Sequence, residues 1–205
     1  MCFSSSTTPS MGNTITSMFT STRPKHPVLK GRNLTLEEFT PDKINAKYLE
    51  WLNNPIVNYY TRRRHMSVQG FEEALAYIRS QGSGEAVFAI QHPEHGHVGN
   101  ISYGPIEWEY LRSQLGIMIG EHKLWSRGIG TEAVYLVTKF LFTEKKLHRV
   151  EAGTANIAFV KLAEKLGWTI EGVERDRFRL DDSFVSETLL SQLHNEFKVM
   201  PELEP

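Results

Sequence analysis

The sequence is poor in cysteine and in long apolar runs, and neither sign of charge is in excess. Its single cysteine, Cys2, excludes an intramolecular disulfide. No apolar run approaches the roughly 18 residues that a membrane helix needs, so a membrane partner is not expected. The net charge of -1 does not indicate general nucleic-acid binding. These absences favour a cytoplasmic protein.

The remaining composition is that of an ordinary globular protein. The chain has 205 residues, 40% of them hydrophobic, which suffices for one domain with a sizeable core. Residues 1–27 are rich in serine and threonine and lack the sustained apolar segment of a secretory signal. We expect a disordered tail there, a single domain over residues 28–198 and a short C-terminal tail over residues 199–205. A weak targeting segment is the alternative for the first tail.

Hydrophobic periodicity and turn signals predict an α+β protein with a mixed sheet. The first helix is predicted to begin at Thr40 and Pro41 and to end at Asn54-Pro55, and the second follows Ser67 with Phe71 facing inward. A hairpin is expected on either side of the turn at 93–96, and a second one near Asp181-Asp182. Other strands are predicted at 32–36, 114–119, 149–154 and 168–173, and other helices after Gly130 and over 156–166.

A glycine-rich turn that opens a predicted helix is the most informative feature of the sequence. Gly128 and Gly130 allow close approach of the backbone to a ligand. The unpaired N–H groups and the dipole of a helix N-terminus favour phosphate, and Arg127 adds a full positive charge. The pattern predicts a diphosphate cradle, with simple loop-to-helix punctuation as the alternative. The full dinucleotide-binding spacing and the Gly-Lys-Ser/Thr of phosphate-loop enzymes are both missing.

The loop Trp125-Ser126-Arg127-Gly128-Ile129-Gly130 resembles the pyrophosphate loop of the GNAT superfamily, Gln/Arg-x-x-Gly-x-Gly/Ala. Trp125 departs from the general pattern at its first position. A loop that begins with tryptophan resembles the branch of the family that contains ribosomal-protein and sugar-nucleotide acetyltransferases. A second segment, HRVEAGTANIAFVKLAEKLGWTIEG at residues 148–172, resembles the following strand, helix and strand of that branch. Asn156 is a suitable cap for its helix and Gly167 a suitable stop.

The resemblance implies an acetyltransferase that uses acetyl-CoA and no metal. Its fold would be a mixed, mostly antiparallel sheet that splays at a cofactor cleft between strands 114–119 and 149–154 and is flanked by helices. Pantetheine would pair with the backbone of the first strand, and the diphosphate would rest on the amides of 127–131. The implied cofactor-binding residues are Ile117, Met118, Ile119, Arg127, Gly128, Ile129, Gly130, Thr131, Asn156 and Lys161.

Catalytic residues are harder to assign. The resemblance implies direct attack of an amine on the thioester, yet Gln114 stands where the branch often has a carboxylate, and glutamine cannot act as a general base. Glu151 is the preferred base, because burial can raise the pKa of a carboxylate. Glu107 and Glu109 come next, and a solvated charge is the alternative for each. Glu132 is interpreted as structural, favoured by the helix dipole.

The acceptor is expected to bind a segment rich in aromatic and cationic residues. The candidates are Trp51, Tyr59, Tyr60, Arg62 and Arg64. Such residues suit a nucleotide-linked amino sugar or a similar small amine, although a solvated basic loop has the same composition.

Two other functions remain open from the sequence. One is acetylation of a protein N-terminus, as in ribosomal-protein acetyltransferases. The other is acetyl-CoA binding without catalysis, because Phe159 and Ala163 stand where related enzymes often have serine or tyrosine. A homodimer is a possible assembly. His92, His95 and His97 suggest a metal, but the polarity of their turn explains them better.

Overall fold

The computed structural model describes residues 26–205, without the side chains of Arg62 and Arg63. The predicted tail therefore lies outside the described residues, except for positions 26 and 27. The described chain forms one eight-stranded sheet in the order β1-β2-β3-β4-β5-β6-β8-β7. Its strands are β1 Leu29–Lys30, β2 Thr35–Glu38, β3 Ala86–His92, β4 Gly96–Glu107, β5 Arg112–Ile119, β6 Arg149–Thr154, β7 Thr169–Leu180 and β8 Ser183–Leu193. The α-helices are α1 Ala46–Asn53, α2 Phe71–Arg79, α3 Ile129–Thr143 and α4 Ile157–Lys165.

The sheet is antiparallel at every described pairing except the one between β5 and β6. Those two strands run parallel and pair over only three residues each, 112–114 with 149–151. Beyond that point they separate. The predicted α+β class, the splayed sheet, and the hairpins β3–β4 and β7–β8 are therefore confirmed.

The two faces of the sheet carry separate hydrophobic cores. The larger core includes the buried side of α3 and α4, for example Val134, Leu141 and Val160. The smaller core includes the buried side of α1 and α2, with Leu52 and Ile78 among its members. Flanking helices thus cover the sheet on both sides, as predicted. No α-helix in residues 26–205 is long and apolar enough to span a membrane.

The predicted start of the first helix was wrong. Pro41–Lys43 form only a short 3-10 turn, and α1 begins at Ala46. Asn45 is the cap, since its side-chain oxygen accepts a hydrogen bond from the Tyr48 amide at 3.0 Å. Asn54 ends the helix, as predicted from the proline that follows.

Phe71 was also misplaced, because it is 45% exposed rather than turned into the core. Ala74, Leu75 and Ile78 on the same helix are buried, as the periodicity predicted. Periodicity identifies the side of a helix that a residue occupies, but not how far the core extends along it. The first turn of α2 extends past the core.

The C-terminal residues are attached to α3 and not free. Leu203 accepts a hydrogen bond from the Arg32 amide at 3.2 Å. The Glu204 carboxylate accepts from the Tyr135 hydroxyl and, at 2.6 Å, from Lys139 Nζ. Burial and the Glu204 contact raise the pKa of Tyr135 to about 12. Residues 199–205, expected as a tail, therefore fix the middle of α3.

Glu132 fixes the start of the same helix. Its side chain is buried and accepts hydrogen bonds from the Asn33 amide at 2.7 Å, the Asn33 side chain at 3.0 Å and the Leu34 amide at 3.0 Å. The turn between β1 and β2 is packed so closely that a Cβ on Gly31 would lie 2.4 Å from the carboxylate. Glu132 is structural, as expected, but through this contact and not only through the helix dipole.

We predict that Glu132→Ala lowers the free energy of unfolding by about 3 kcal/mol. The substitution leaves the buried Leu34 amide without an acceptor, which costs roughly 1–3 kcal/mol, and also removes the two part-buried hydrogen bonds from Asn33. Urea denaturation followed by tryptophan fluorescence measures the change. Glu144→Ala is the matched control, because Glu144 is an exposed residue at the other end of α3. An equal loss of unfolding free energy in the two variants would contradict the structural role of Glu132.

Candidate active site

The separation of β5 from β6 creates an open cleft in the middle of the sheet. The last residue pair between the strands is Gln114 with Glu151. Beyond it, residues 115–119 pair with β4 on one side and with no described strand on the other. Ile117, Met118 and Ile119 lie in this stretch and are partly exposed. Their backbone edge can pair with an extended amide chain, as a free strand edge pairs with a peptide.

The predicted phosphate cradle lies beyond the end of β5. Gly128 is the N-cap of α3 and has a left-handed conformation with φ of 83°. A Cβ added to Gly128 would meet nothing within 4 Å. The backbone conformation, and not crowding, therefore favours glycine at this position. Gly130 is more constrained, because a Cβ there would lie 3.4 Å from Leu162.

The amides of 129–131 are first-turn amides, which have no carbonyl partner within a helix. Together with the exposed Arg127, they form a site suited to an anion. Trp125 anchors this loop, because its indole N–H donates to the Ile119 carbonyl at 2.8 Å. The departure from the general loop pattern at this position therefore has a structural role, tying the cradle to the end of β5.

The two predicted residues of α4 differ in how they are placed. Asn156 caps the helix, since its side-chain oxygen accepts from the Ala158 amide at 3.0 Å. That oxygen is engaged in capping and stabilises the helix next to the cleft. Lys161 is exposed on the helix surface.

A cavity of about 490 Å³ adjoins the cleft at the open end of β6. We call it the carboxylate cavity, because four glutamates line it against two arginines, for a formal charge of -2. The charged lining residues are Glu151, Glu171, Glu174, Glu187, Arg149 and Arg177, and Tyr60, Gln114 and Phe178 are among the others.

Arg149 organises the inner wall of the carboxylate cavity. Its guanidinium donates to Glu151 at 2.7 Å and in bidentate fashion to Glu171 at 2.6 and 2.5 Å. The buried Ser191 hydroxyl completes the network, donating to Glu171 at 2.7 Å. The hydrogen bonds from Arg149 and Ser191 lower the pKa of Glu171 to about 2, and the bond to Glu171 raises the pKa of Arg149.

The candidate bases are placed differently from one another. Glu151 lines the carboxylate cavity next to the cleft, but its carboxylate is occupied by Arg149. Glu107 forms a bidentate ion pair with Arg112 at 2.9 Å, and Glu109 is exposed in the turn between β4 and β5. Neither of these two lines the cavity.

The predicted acceptor residues divide into two groups. Trp51 is only 4% exposed and packs so tightly on Gly120 that a Cβ there would lie 2.0 Å from the indole ring. This burial leaves no face for an acceptor, so Trp51 is a core residue. Tyr60 is 48% exposed and lines the carboxylate cavity.

Tyr59 and Arg64 form a contact beside Tyr60. The Arg64 guanidinium stacks over the Tyr59 ring at 4.3 Å and forms an ion pair with Asp181 at the tip of the β7–β8 hairpin. The charge of Arg64 is therefore neutralised within the protein. The side chain of Arg62, also predicted to bind the acceptor, lies outside the described residues.

The sequence interpretation missed the contribution of the β7–β8 hairpin, which supplies Glu171, Glu174, Arg177 and Glu187. The only local signal was the density of charge along a predicted strand. Nothing in that signal shows that the hairpin folds back beside β6, because the pairing of β6 with β8 joins residues about 40 positions apart.

His97 is an aromatic packing residue and not a candidate metal ligand. Its ring lies 5.0 Å from Trp51 and 5.5 Å from Phe39, and burial lowers its pKa. Within residues 26–205, no group of three histidine, cysteine or acidic side chains is arranged to hold a metal ion.

We predict that the Glu171 contacts stabilise the fold above about pH 4.5 and lose this effect as the pH falls toward 2. The sign follows from the lowered pKa, because the folded state holds the ionised form more strongly than the unfolded state, whose pKa is near 4.5. Glu171→Gln should therefore reduce stability at pH 7 and have little effect near pH 2. Denaturation across this range measures it, with Asp182→Asn as the control because Asp182 is fully exposed. A penalty that does not vary with pH would contradict the prediction.

Comparisons with known proteins agree with this geometry. A family model described as an acetyltransferase (GNAT) domain matches residues 33–169. The probable N-acetyltransferase YjcK of Bacillus subtilis (strain 168) is 37% identical over 70 residues, 33% of this chain. The match spans only 39% of that relative's length.

Three solved structures show the same fold. An acetyltransferase (GNAT family) from Bacillus anthracis has a TM-score of 0.68 at 21% identity, covering 83% of this chain and all of that one. Spermidine N-acetyltransferase from Vibrio cholerae, in complex with CoA and spermine, has a TM-score of 0.72 at 17% identity over 80% of this chain and 97% of that one. Ribosomal-protein-S5-alanine acetyltransferase from Vibrio fischeri has a TM-score of 0.68 at 16% identity over 85% of this chain and all of that one.

At these identities the structural likeness establishes the fold alone. The family model goes further, because it matches well over half of the sequence. The protein therefore belongs to the GNAT acetyltransferase family.

Proposed function

We propose that the protein transfers the acetyl group of acetyl-CoA to a primary amine. The observation that carries the proposal is the open edge of β5 next to the glycine cradle of α3. The edge suits the amide groups of pantetheine, and the cradle suits the diphosphate. Ile117–Ile119 and Arg127–Thr131 would hold the co-substrate, with Lys161 near the outer end.

The residues of the cradle fit an anion in shape as well as in charge. Gly128 takes a backbone conformation that other residues rarely adopt, and a Cβ on Gly130 would meet only Leu162, at the ordinary contact distance of 3.4 Å. Acetyl-CoA supplies the activated acetyl group when it binds. The protein contributes the position of the donor, the position of the amine and a route for its proton.

We propose that the acceptor is a small amine that is cationic in solution and carries no phosphate. The carboxylate cavity lies where the acceptor would approach the cleft, and four carboxylates would repel the diphosphate of a nucleotide-linked sugar. The amino-sugar hypothesis depended in part on the cationic residues Arg62 and Arg64, and Arg64 is already paired with Asp181. Tyr60 would contact the acceptor, whereas Trp51 would not.

A protein N-terminus is the second candidate, and the same cavity favours it, because the end of a peptide is also a cation. The third possibility, binding without catalysis, is motivated by Gln114, Phe159 and Ala163. Of these, Phe159 and Ala163 are buried in the core and cannot donate or accept a proton at the site. The domain boundaries, the homodimer and the cytoplasmic location stay predictions.

We predict that the kcat/KM for acetylation of 1,4-diaminobutane is at least about tenfold higher than the kcat/KM for a nucleotide-linked amino sugar. A tenfold difference corresponds to roughly 1.4 kcal/mol in activation free energy. Repulsion between a phosphate and a nearby carboxylate can account for a difference of this size. Mass spectrometry of a panel containing both compounds and an alanine-initiated peptide would detect the products. Preference for the peptide would support the second candidate, and preference for the amino sugar would contradict the acceptor proposal. Acetyl-CoA binding without any product would favour the binding-only role.

We predict that Gly130→Glu weakens acetyl-CoA binding more than about 100-fold. The carboxylate would lie near the diphosphate, and like charges about 4 Å apart repel by roughly 4 kcal/mol at an effective dielectric constant of 20. Calorimetric titration measures the affinity. Gly130→Gln has the same bulk without the charge, and Gly130→Ala places a methyl group at ordinary contact distance from Leu162. Unchanged affinity in the glutamate variant would show that the diphosphate lies elsewhere.

A further inference from the structure

Gln114 stands at the point where β5 and β6 separate, and the fold leaves its side chain unused. We infer that Gln114 orients the attacking amine through a hydrogen bond, and that no carboxylate of the protein removes the proton of that amine. This inference rests on the proposed function and assigns a role within it. It follows from the position of Gln114, from the space beside it and from the ion pairs of the carboxylate cavity.

The position of Gln114 directs its side chain toward the acceptor side. Gln114 forms the last pair between β5 and β6, with Glu151. The neighbouring residues Leu115 and Val150 are buried in the larger core. Because side chains alternate along a strand, Gln114 and Glu151 lie on the opposite face of the sheet. Both line the carboxylate cavity there.

A bulge in β4 lies next to the same residue. Tyr103 of β4 pairs with Leu115, but the next β4 residue with a partner is Ile106, which pairs with Ser113. Two residues of β4 therefore stand opposite Gln114 alone. Bulges are over-represented beside active sites, where they redirect a side chain. Within residues 26–205, no hydrogen bond or ion pair engages the side-chain amide of Gln114. One acceptor and two donors are thus left for a ligand.

The surface beside Gln114 on the same face carries no side chain of β5. The next residue on that face is Gly116, which is exposed, and a Cβ there would meet only the Ser102 hydroxyl, at 3.4 Å, among the described residues. With the diphosphate on the cradle, a pantetheine chain that pairs with residues 117–119 runs back toward this point. The thioester would then lie over Gly116. An amine that donates an N–H to the Gln114 side-chain oxygen would hold its lone pair toward the thioester carbon.

The carboxylates of the cavity attract a cation but are all engaged in ion pairs. The pairs are Arg149 with Glu151 and Glu171, and Arg177 with Glu174 and Glu187. A proton placed on any of these carboxylates would weaken a charge-assisted contact. Tyr60, from the segment before α2, is the other titratable group that lines the cavity.

The proton balance requires no base from the protein. A primary alkylamine resembles the lysine side chain, whose pKa is about 10.4, so most of it is protonated at pH 7. Its first proton passes to water, which reaches the cavity beside the half-exposed Tyr60. The neutral nitrogen then bonds to the thioester carbon, and the carbon–sulfur bond breaks with its electron pair going to sulfur. The surplus proton on nitrogen passes through water to that sulfur, which yields the acetylated amine and the free thiol.

The pH dependence of wild-type kcat/KM is the first test, with the amine of the panel on which wild type is fastest. Without a base, kcat/KM should rise about tenfold per pH unit up to the pKa of that amine, because it follows the neutral fraction of the amine. A carboxylate base would instead give a plateau between about pH 6 and that pKa, since the ionised base and the protonated amine coexist there. A plateau in wild type would overturn the inference.

Two variants of Gln114 test the contact itself. In Gln114→Ala, kcat should fall about tenfold, as for loss of one orienting hydrogen bond, while the rise with pH stays the same. Acetyl-CoA affinity should stay within about twofold, which also shows that the variant folds. Gln114→Glu keeps the shape and adds a proton acceptor, so the plateau should appear and kcat/KM at pH 7 should exceed the wild-type value at least about tenfold. Gln91→Ala is the matched control, because this partly exposed glutamine lies on β3 and is not among the residues that line the cavity.

The remaining outcomes separate this inference from the proposed function. Unchanged kcat in Gln114→Ala, or an unchanged rise with pH in Gln114→Glu, would show that the side chain does not reach the reacting nitrogen and would overturn the inference. Wild type that binds acetyl-CoA but acetylates no amine would overturn the proposed function and this inference with it. An active wild type with an unaffected Gln114→Ala variant would overturn this inference alone.

Discussion

The site depends on one constraint, the short pairing between β5 and β6. Three residue pairs join them, while β5 forms seven pairs with β4 and β6 forms six with β8. Strand β5 is therefore held by β4 and strand β6 by β8. The gap between β5 and β6 persists although no described strand fills it. Backbone groups facing the gap would be costly to leave unpaired if they were buried. Opening the gap to solvent or to an extended ligand removes that cost, which is why the same defect in the sheet can serve as a binding cleft.

The two ends of the cleft have opposite polarity. Toward α3 the exposed groups are backbone amides and Arg127, which suit an anion. Toward the β7–β8 hairpin, four carboxylates line the cavity, and the two arginines that line it, together with Arg64, have carboxylate partners. Arg149 pairs with Glu151 and Glu171, Arg177 with Glu174 and Glu187, and Arg64 with Asp181. A phosphorylated donor and a cationic acceptor would therefore approach from different ends.

Local signals allowed much of the fold to be predicted from the sequence. Strand β6 lies at the predicted residues 149–154, and α4 lies between its predicted cap Asn156 and the stop at Gly167. Capping, glycine and alternation act over a few residues, so they can be read from a short window. Of the site, the cradle glycines could be located in the same way, because their conformational role is local. Their ligand remains an inference from the family.

Long-range features could not be predicted. The burial of Trp51 depends on Gly120, which lies about 70 positions away, and the cavity depends on a hairpin that folds back beside β6. Arg64 was expected to help bind a phosphorylated acceptor because its charge was counted without that of Asp181. A sequence shows which residues are charged but not which partners will neutralise them. For this reason the acceptor side was expected to suit an anion, whereas the folded protein lines it with carboxylates.

Helix α3 connects these features, because contacts hold the cradle in place from three directions. Glu132 binds the turn between β1 and β2, Glu204 binds the middle of the helix, and Trp125 binds the end of β5. A cradle fixed in this way loses little conformational entropy when an anion binds, so more of the interaction energy remains as affinity. The contact at Trp125 also fixes the cradle relative to the open edge of β5. The distance between the two halves of the proposed donor site is thus set by the fold before any ligand arrives.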